Sequence, residues 1–248
     1  MCISATASIN AFTINFISAC LLVLFGNDNL KSINLIVALF SIFTSFNQLV
    51  DLGIWLDLDC KNGLNKTASL IGPVLIYLQP VMPFIIAFLV LNYTSDGIKM
   101  RKENLVPLEK EHKLLDMFSI SSKKINLAKI INFAAIILIV ILLINYYTKH
   151  VSCSQLKDGH ISWNWLNKGK HLLTAFTIIY ALVAPMNFLM IDPKSNYIKI
   201  ILSLYILLLL VSIFVNKKYT GELWCLVSNC LPLILLVIQK IFKKELTR

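Results

Sequence analysis

Long apolar runs separated by short polar stretches set the plan of this chain. Seven segments have the length of a helical membrane span, about 17–25 mostly apolar residues each. They are Ile9–Phe25, Ile33–Trp55, Ser69–Leu91, Ile130–Tyr147, Leu172–Ile191, Ile198–Val215 and Leu223–Phe242. They are too long and too continuously apolar for barrel strands, which alternate over about ten residues. In lipid every backbone polar group must be bonded within its own segment, so the pattern predicts helices. The expected architecture is all-α: one polytopic transmembrane bundle of seven helices over residues 1–248, with loops near 92–129 and 148–171. No Lys or Arg precedes Lys31, and no small-x-small site follows the first run. That run therefore reads as a retained helix rather than a signal peptide.

Composition supports this reading. The chain is 57% hydrophobic and 15% charged, with a mean hydropathy of +0.74. Soluble domains average roughly 45–50% apolar and about 25% charged residues. Disordered, collagenous and small disulfide-scaffold classes are excluded, and a soluble enzyme is disfavoured. The net charge of +10 is unevenly placed. Lys99, Arg101, Lys102, Lys110, Lys113, Lys123, Lys124 and Lys129 fall between spans three and four. The same side takes Lys31, Lys194, Lys199, Lys240, Lys243, Lys244 and Arg248, against a lighter set from Lys61 to Lys218 opposite. The positive-inside rule then predicts the N-terminus outside or lumenal and the C-terminus cytoplasmic. The basic residues are spread over loops with no aromatic-interleaved groove, so nucleic acid is not an expected partner; the lipid bilayer is. In the basic loop, Leu108, Leu115 and Phe118 fall near one helical face, which fits a short helix on the inner leaflet or a solvated loop helix.

Of six cysteines, Cys60 precedes span three and Cys153 follows span four, on the predicted outer side. Disulfides persist in such an oxidising compartment, so Cys60–Cys153 is the expected bridge. Cys2 and Cys225 form a weaker candidate pair, and Cys20 and Cys230 read as packing residues. Asn65-Lys66-Thr67 is a glycosylation sequon on the same side. Trp163 and Trp165 are expected at headgroup level.

Polar residues inside the spans carry the candidate chemistry. An ionised residue at mid-bilayer costs about 2.5–3.5 kcal/mol on insertion scales, which makes it a functional-site hypothesis by default. Asp51, near the outer end of span two, is the clearest case. Asn47 and Gln48 lie one helical turn away. Gln79, followed by Pro80 and Pro83, sits in span three, and Glu222 and Asn229 belong to span seven. Facing the bundle interior, Asp51, Asn47, Gln48, Gln79, Glu222 and Asn229 would line a net-acidic cavity open to the outside. Such a cavity suits a small polar or cationic ligand. The competing reading is interhelical hydrogen bonding, worth about 0.6 kcal/mol per pair on average. His112, His150, His160 and His171 all fall in loops or at a span edge, and no HExxH, GxSxG or paired intramembrane aspartates occur. No metal, cofactor or catalytic residue is expected.

The opening Met1, Cys2, Ser4, Ala5, Ala7 and Ser8 resembles the start of a family of uncharacterised multi-pass membrane proteins of bacteria and large DNA viruses, which open Met-Cys-x-Ser-Ala-x-Ala-Ser. Asp51, Cys60, Asn65, Gln79-Pro80, His160, Trp163, Trp224-Cys225 and Asn229 follow in a similar order. The resemblance implies a membrane protein and supplies no catalytic residues. Heavy use of Ile, Asn, Lys and Phe is compatible with an AT-rich genome such as that of a giant virus. The expected function is receptor-like or transport-type binding of a small polar or cationic ligand. The alternatives are a structural membrane protein of a viral particle or compartment, and a membrane enzyme of unrecognised mechanism.

Overall fold

The computed structural model describes residues 4–98, 122–149, 152–157, 159–163, 180, 182–189, 191, 195–215 and 229–242. The chain is mostly helical. Helix α1 (Ala5–Phe25) begins at Ser4, whose Oγ accepts the Ala7 N–H at 3.1 Å, as an N-cap should. A short 3-10 turn (Asp28–Leu30) leads into α2 (Lys31–Trp55). Helices α3 (Leu64–Leu78), α4 (Met82–Tyr93), α5 (Ser122–Lys149), α6 (Asn196–Val215) and α7 (Leu231–Ile241) follow. Residues 182–189 are helical as well. Between α5 and that stretch lies a two-stranded antiparallel hairpin, β1 (Gln155–Lys157) and β2 (His160–Ser162), with Leu156 opposite Ile161. Among the described residues, this hairpin is the exception to the all-α expectation.

Among the described residues, three helical segments are long and apolar enough to cross a membrane: Ala5–Phe25, Asp28–Trp55 and Ile130–Thr148. The α3–α4 pair makes a fourth if its 70° bend belongs to one span. The side chains are distributed as lipid would demand. On α1 the buried residues are small or polar (Ser8, Ala11, Asn15, Ser18, Ala19) except for Leu22, while Phe16, Ile17 and Leu24 are exposed. Small and polar residues let helices approach and bond, and large apolar ones are left to face the surroundings. On α5, Phe133, Val140 and Ile144 are likewise exposed.

Among the described residues, packing forms two apolar clusters. Val50, Ile54, Ala135, Ile139, Ile161 and Trp163 belong to one, at the hairpin end. Leu22, Ile36, Phe40, Phe188, Ile198 and Leu235 belong to the other, toward the opposite end. That opposite end is tied by Gln239. Its Oε1 accepts the Asn27 N–H at 2.7 Å and Asn34 Nδ2 at 3.3 Å. Its Nε2 donates to Asn34 Oδ1 at 2.6 Å and to the Tyr197 hydroxyl. All the bonding capacity of one amide is thereby used, joining the α1–α2 turn, α2, α6 and α7. Gly26 permits this approach: a Cβ there would collide with the Leu22 carbonyl and the Asn34 amide.

Span three, expected as one helix from Ser69 to Leu91, is two helices. Proline has no N–H to give, so each proline releases a carbonyl one turn back. Pro73, inside α3, cannot bond the Ser69 carbonyl, and the Tyr146 hydroxyl of α5 donates to that oxygen at 2.8 Å. At the break, Phe84 and Ile85 both donate to Val81 O, at 3.1 and 3.2 Å. Pro80 O, passed over by Phe84, is met at 2.9 Å by Asn187 Nδ2. Asn187 and Asn132 also exchange a reciprocal amide pair at 2.8 and 2.9 Å.

The pairing of proline with hydroxyl is directly testable. Tyr146→Phe should lower stability by about 1 kcal/mol, between the average for an interhelical bond in a membrane and the ~1–3 kcal/mol of an orphaned buried group. Pro73→Ala restores a backbone N–H that bonds Ser69 O itself, and in that background Tyr146→Phe should become nearly neutral. Denaturant titration of the four proteins of this cycle reads the coupling; equal losses in both backgrounds would contradict it.

Candidate functional site

Asp51 lies a turn before the end of α2 and is fully buried. Its Oδ1 accepts the indole N–H of Trp163 at 3.0 Å. Trp163 directly follows β2, and successive strand residues face opposite ways. Ile161 and Trp163 therefore share a face; both are buried in the cluster that contains Val50 and Ile54. The hairpin is thus a cap laid on the bundle, with its indole on the carboxylate. Asn47 and Gln48 are buried one turn below Asp51. Asn47 Nδ2 donates to Thr44 O at 2.9 Å, and its Oδ1 is buried with no hydrogen-bond partner among the described residues.

Two devices hold the cap. Cys60 and Cys153 are paired at disulfide distance, with Cα atoms 6.2 Å apart. The next residue, Ser154, is wedged against α3. Its N–H donates to Asn65 Oδ1 at 2.9 Å and to Ser69 Oγ at 3.1 Å. Its carbonyl accepts Asn65 Nδ2 at 2.9 Å, and its hydroxyl lies 2.9 Å from that of Ser69.

Asp57 shapes the turn that carries Cys60. One carboxylate oxygen accepts the Lys61 and Asn62 N–H groups at 2.8 and 3.0 Å, and the other accepts that of Asn65 at 3.1 Å. These bonds close a loop in which Cys60 (φ 57°) and Gly63 (φ 79°) are left-handed, a conformation that disfavours Cys and suits Gly. They also set a negative charge at the N-terminus of α3, where the helix dipole favours it. The Asn62 N–H is the main reason that the Asp57 carboxyl titrates below its ordinary range. Burial opposes the shift, and the Asn65, Lys61 and Leu64 N–H groups reinforce it.

The six candidate ligand residues are not all gathered at one place. Asp51, Asn47 and Gln48 share the cap end of α2. Gln79 is buried at the α3–α4 break. Asn229 accepts from Asn15 Nδ2 at 2.9 Å, and Asn15 also donates to Ser41 O at 3.1 Å. Ser41 is ten residues before Asp51 on the same helix, roughly 15 Å away by helical rise. Glu222, Cys2, Cys225, Trp165 and the helix expected around Leu108–Phe118 lie outside the described residues. Cys20 and Cys230 are half-buried free thiols. The sequon's Asn65 is fully buried, and its Nδ2, the atom a glycan would occupy, is bonded to Ser154. Trp163 is buried in the protein, with its indole on Asp51. Sequence reasoning overlooked that pairing and the role of Asp57. The alternation in Ile161-Ser162-Trp163 was the available signal for the first, and the short spacing from Asp57 to Gly63 for the second.

Because its folded-state pKa is depressed, Asp57 adds stability that is fully present above its unfolded value, about 3.9, and is lost as pH falls through the lower folded value. Amide protection at Lys61, Asn62 and Asn65 should therefore hold from neutrality to about pH 4 and drop below it. In Asp57→Asn it should already be reduced at pH 7. Hydrogen exchange read by mass spectrometry checks both; protection in the variant equal to wild type at pH 7 would contradict the capping role.

The chain matches no protein-family model, no curated protein and no solved structure.

Proposed function

We propose that this is a seven-helix integral membrane protein that binds a small polar or cationic ligand at Asp51, beneath the hairpin cap. One observation carries the reading: a fully buried carboxylate whose indole partner arrives from outside the helices, on a separately anchored element. An acid this deep in an apolar bundle is expensive. A ligand ammonium would serve it better than an indole, since charge-assisted hydrogen bonds are roughly twice as strong as neutral ones. The unmatched Asn47 Oδ1, one turn away, offers a second acceptor for the same ligand. In this scheme Trp163 is a lid that occupies the carboxylate until an amine displaces it.

The ends of the helices support the orientation. Asn27, Asn34, Tyr197 and Gln239 meet at one end, where Lys31 pairs with Asp96 at 3.0 Å. Cys60, Cys153 and Trp163 gather at the other. A disulfide belongs on the oxidising side, and basic residues such as Lys31 and Lys240 on the cytoplasmic side. In this reading the cap faces outside and Gln239 inside, with the start of α1 outside.

A second reading, a structural membrane protein without ligand, is favoured by buried amides that bond one another across helices, Asn132 with Asn187 and Asn34 with Gln239. The two separate on amine titration of the purified protein. With ethanolamine as the probe, wild type should gain about 2.7 kcal/mol at a hundred times the dissociation constant. Asp51→Asn, which keeps an acceptor for the indole and loses the charge, should not respond. Trp163→Phe, which removes the competitor, should respond at several-fold lower concentration. No response from any of the three, with altered melting temperatures alone, favours the structural reading.

A further inference from the structure

Asn15 of α1 and Asn229, just ahead of α7, meet in the interior, 0% and 3% exposed. Their orientation is forced. A backbone carbonyl only accepts, so Asn15 turns its Nδ2 toward Ser41 O of α2, at 3.1 Å. The second hydrogen of that nitrogen goes to Asn229 Oδ1, at 2.9 Å. Reversing either amide would set acceptor against acceptor or donor against donor. Asn15 Oδ1 and Asn229 Nδ2 are left over, and neither has a hydrogen-bond partner among the described residues. Ser41 O has no capacity to spare, since Thr44 Oγ1 also donates to it at 2.9 Å. Buried amide atoms are seldom left in this state. One orphaned acceptor and one orphaned donor at the same contact call for a group that both gives and accepts.

The surroundings select against charge of either sign. Asn229 immediately precedes Cys230, the N-cap of α7, and no side chain caps that helix. The partial positive charge of the helix end disfavours a cation. The lone pairs of Asn15 Oδ1, an atom that only accepts, disfavour an anion. A hydroxyl is neutral, donates once and accepts, and so meets both conditions. Depth then limits its size and exchange. Asn15 is the middle residue of the 21 in α1, so roughly 15 Å of helix lies on either side of it. In a helix that crosses a bilayer this is the midplane of the ~30 Å hydrocarbon layer, where contact with bulk solvent is lost.

We propose that Asn15 and Asn229 form a binding site for one small neutral hydroxyl compound, water or a short alcohol, which donates to Asn15 Oδ1 and accepts from Asn229 Nδ2. The site rests on the burial and bonding of these two amides, and not on any ligand at Asp51.

The test uses the full chain in nanodiscs, labelled with ¹⁵N-asparagine. Asn187 is the internal control. It is as deeply buried, at 1% exposed, but its two Nδ2 hydrogens are taken by Pro80 O and Asn132 Oδ1. The two side-chain signals are assigned by their loss in Asn229→Leu and Asn187→Leu. Magnetisation transfer from water protons should reach Asn229 Nδ2 several-fold more strongly than Asn187 Nδ2. Methanol, titrated in as a second probe, separates the two sources. If the site admits alcohols, the water transfer falls and transfer from the methanol methyl group replaces it. If it holds water alone, the water transfer persists; either result supports the site. Asn15→Leu, which removes the acceptor, should cut the transfer at Asn229 several-fold. Transfer at Asn229 no stronger than at Asn187, from water and methanol alike, would overturn the proposal. That comparison is made within the wild-type protein, so it decides the matter even where Asn15→Leu fails to fold.

Discussion

A polar group shut away from water must find its partner inside the protein, and in this chain that requirement fixes how the helices meet. Prolines make the requirement visible. Pro73 strands the carbonyl of Ser69, and Tyr146 reaches from α5 to take it. At the α3–α4 break Pro80 O is left over, and Asn187 fills the gap while pairing with Asn132. Helix breakers within apolar runs are tolerated because neighbouring helices re-satisfy what they release. Between helices that expose Phe, Ile and Leu outward, packing alone discriminates little; the polar ties select which helix lies beside which.

Asp51 is the extreme instance, because a carboxylate is harder to match than an amide. Its indole partner comes with a chain of dependencies. Trp163 reaches Asp51 only because the hairpin lies on the bundle. The hairpin is held by Ser154 in the Asn65–Ser69 notch and by Cys153 on Cys60. Cys60 in turn occupies a left-handed position that the Asp57 turn supports. A covalent bond, a buried serine and a capping aspartate thus all serve to put one N–H on one oxygen. The amides at the opposite end need no such scaffolding, since Gln239 is satisfied by residues of the helices and of the short α1–α2 turn.

Much of the helical plan was legible from residue pattern alone. Long apolar runs with few charges mark α1, α2 and α5, and the bridge followed from which loops share a side. Asp51 stood out because a charge in such a run is rare. Its partner did not. Trp163 belongs to a short polar stretch whose strands are only three residues each, too brief for a periodic signal. The assumption that span polar residues converge also misled: Asn229 and Asp51 look alike in sequence, yet roughly 15 Å of α2 separates Asp51 from the point where Asn15 ties in Asn229. A helix run cannot say which depth a residue from another helix will reach. Nor does a sequon say that its asparagine is buried, as Asn65 is.

The indole resonance of Trp163 reports most directly on whether its bond to Asp51 is exchangeable. In ¹⁵N-tryptophan-labelled protein in nanodiscs, assigned by its disappearance in Trp163→Phe, that N–H should be protected from solvent without ligand. Saturating ethanolamine should shift it and open it to exchange as the ammonium takes the carboxylate. An indole signal unmoved and still protected at saturating amine, in protein that remains folded, would mean that Asp51 serves only to fasten the cap.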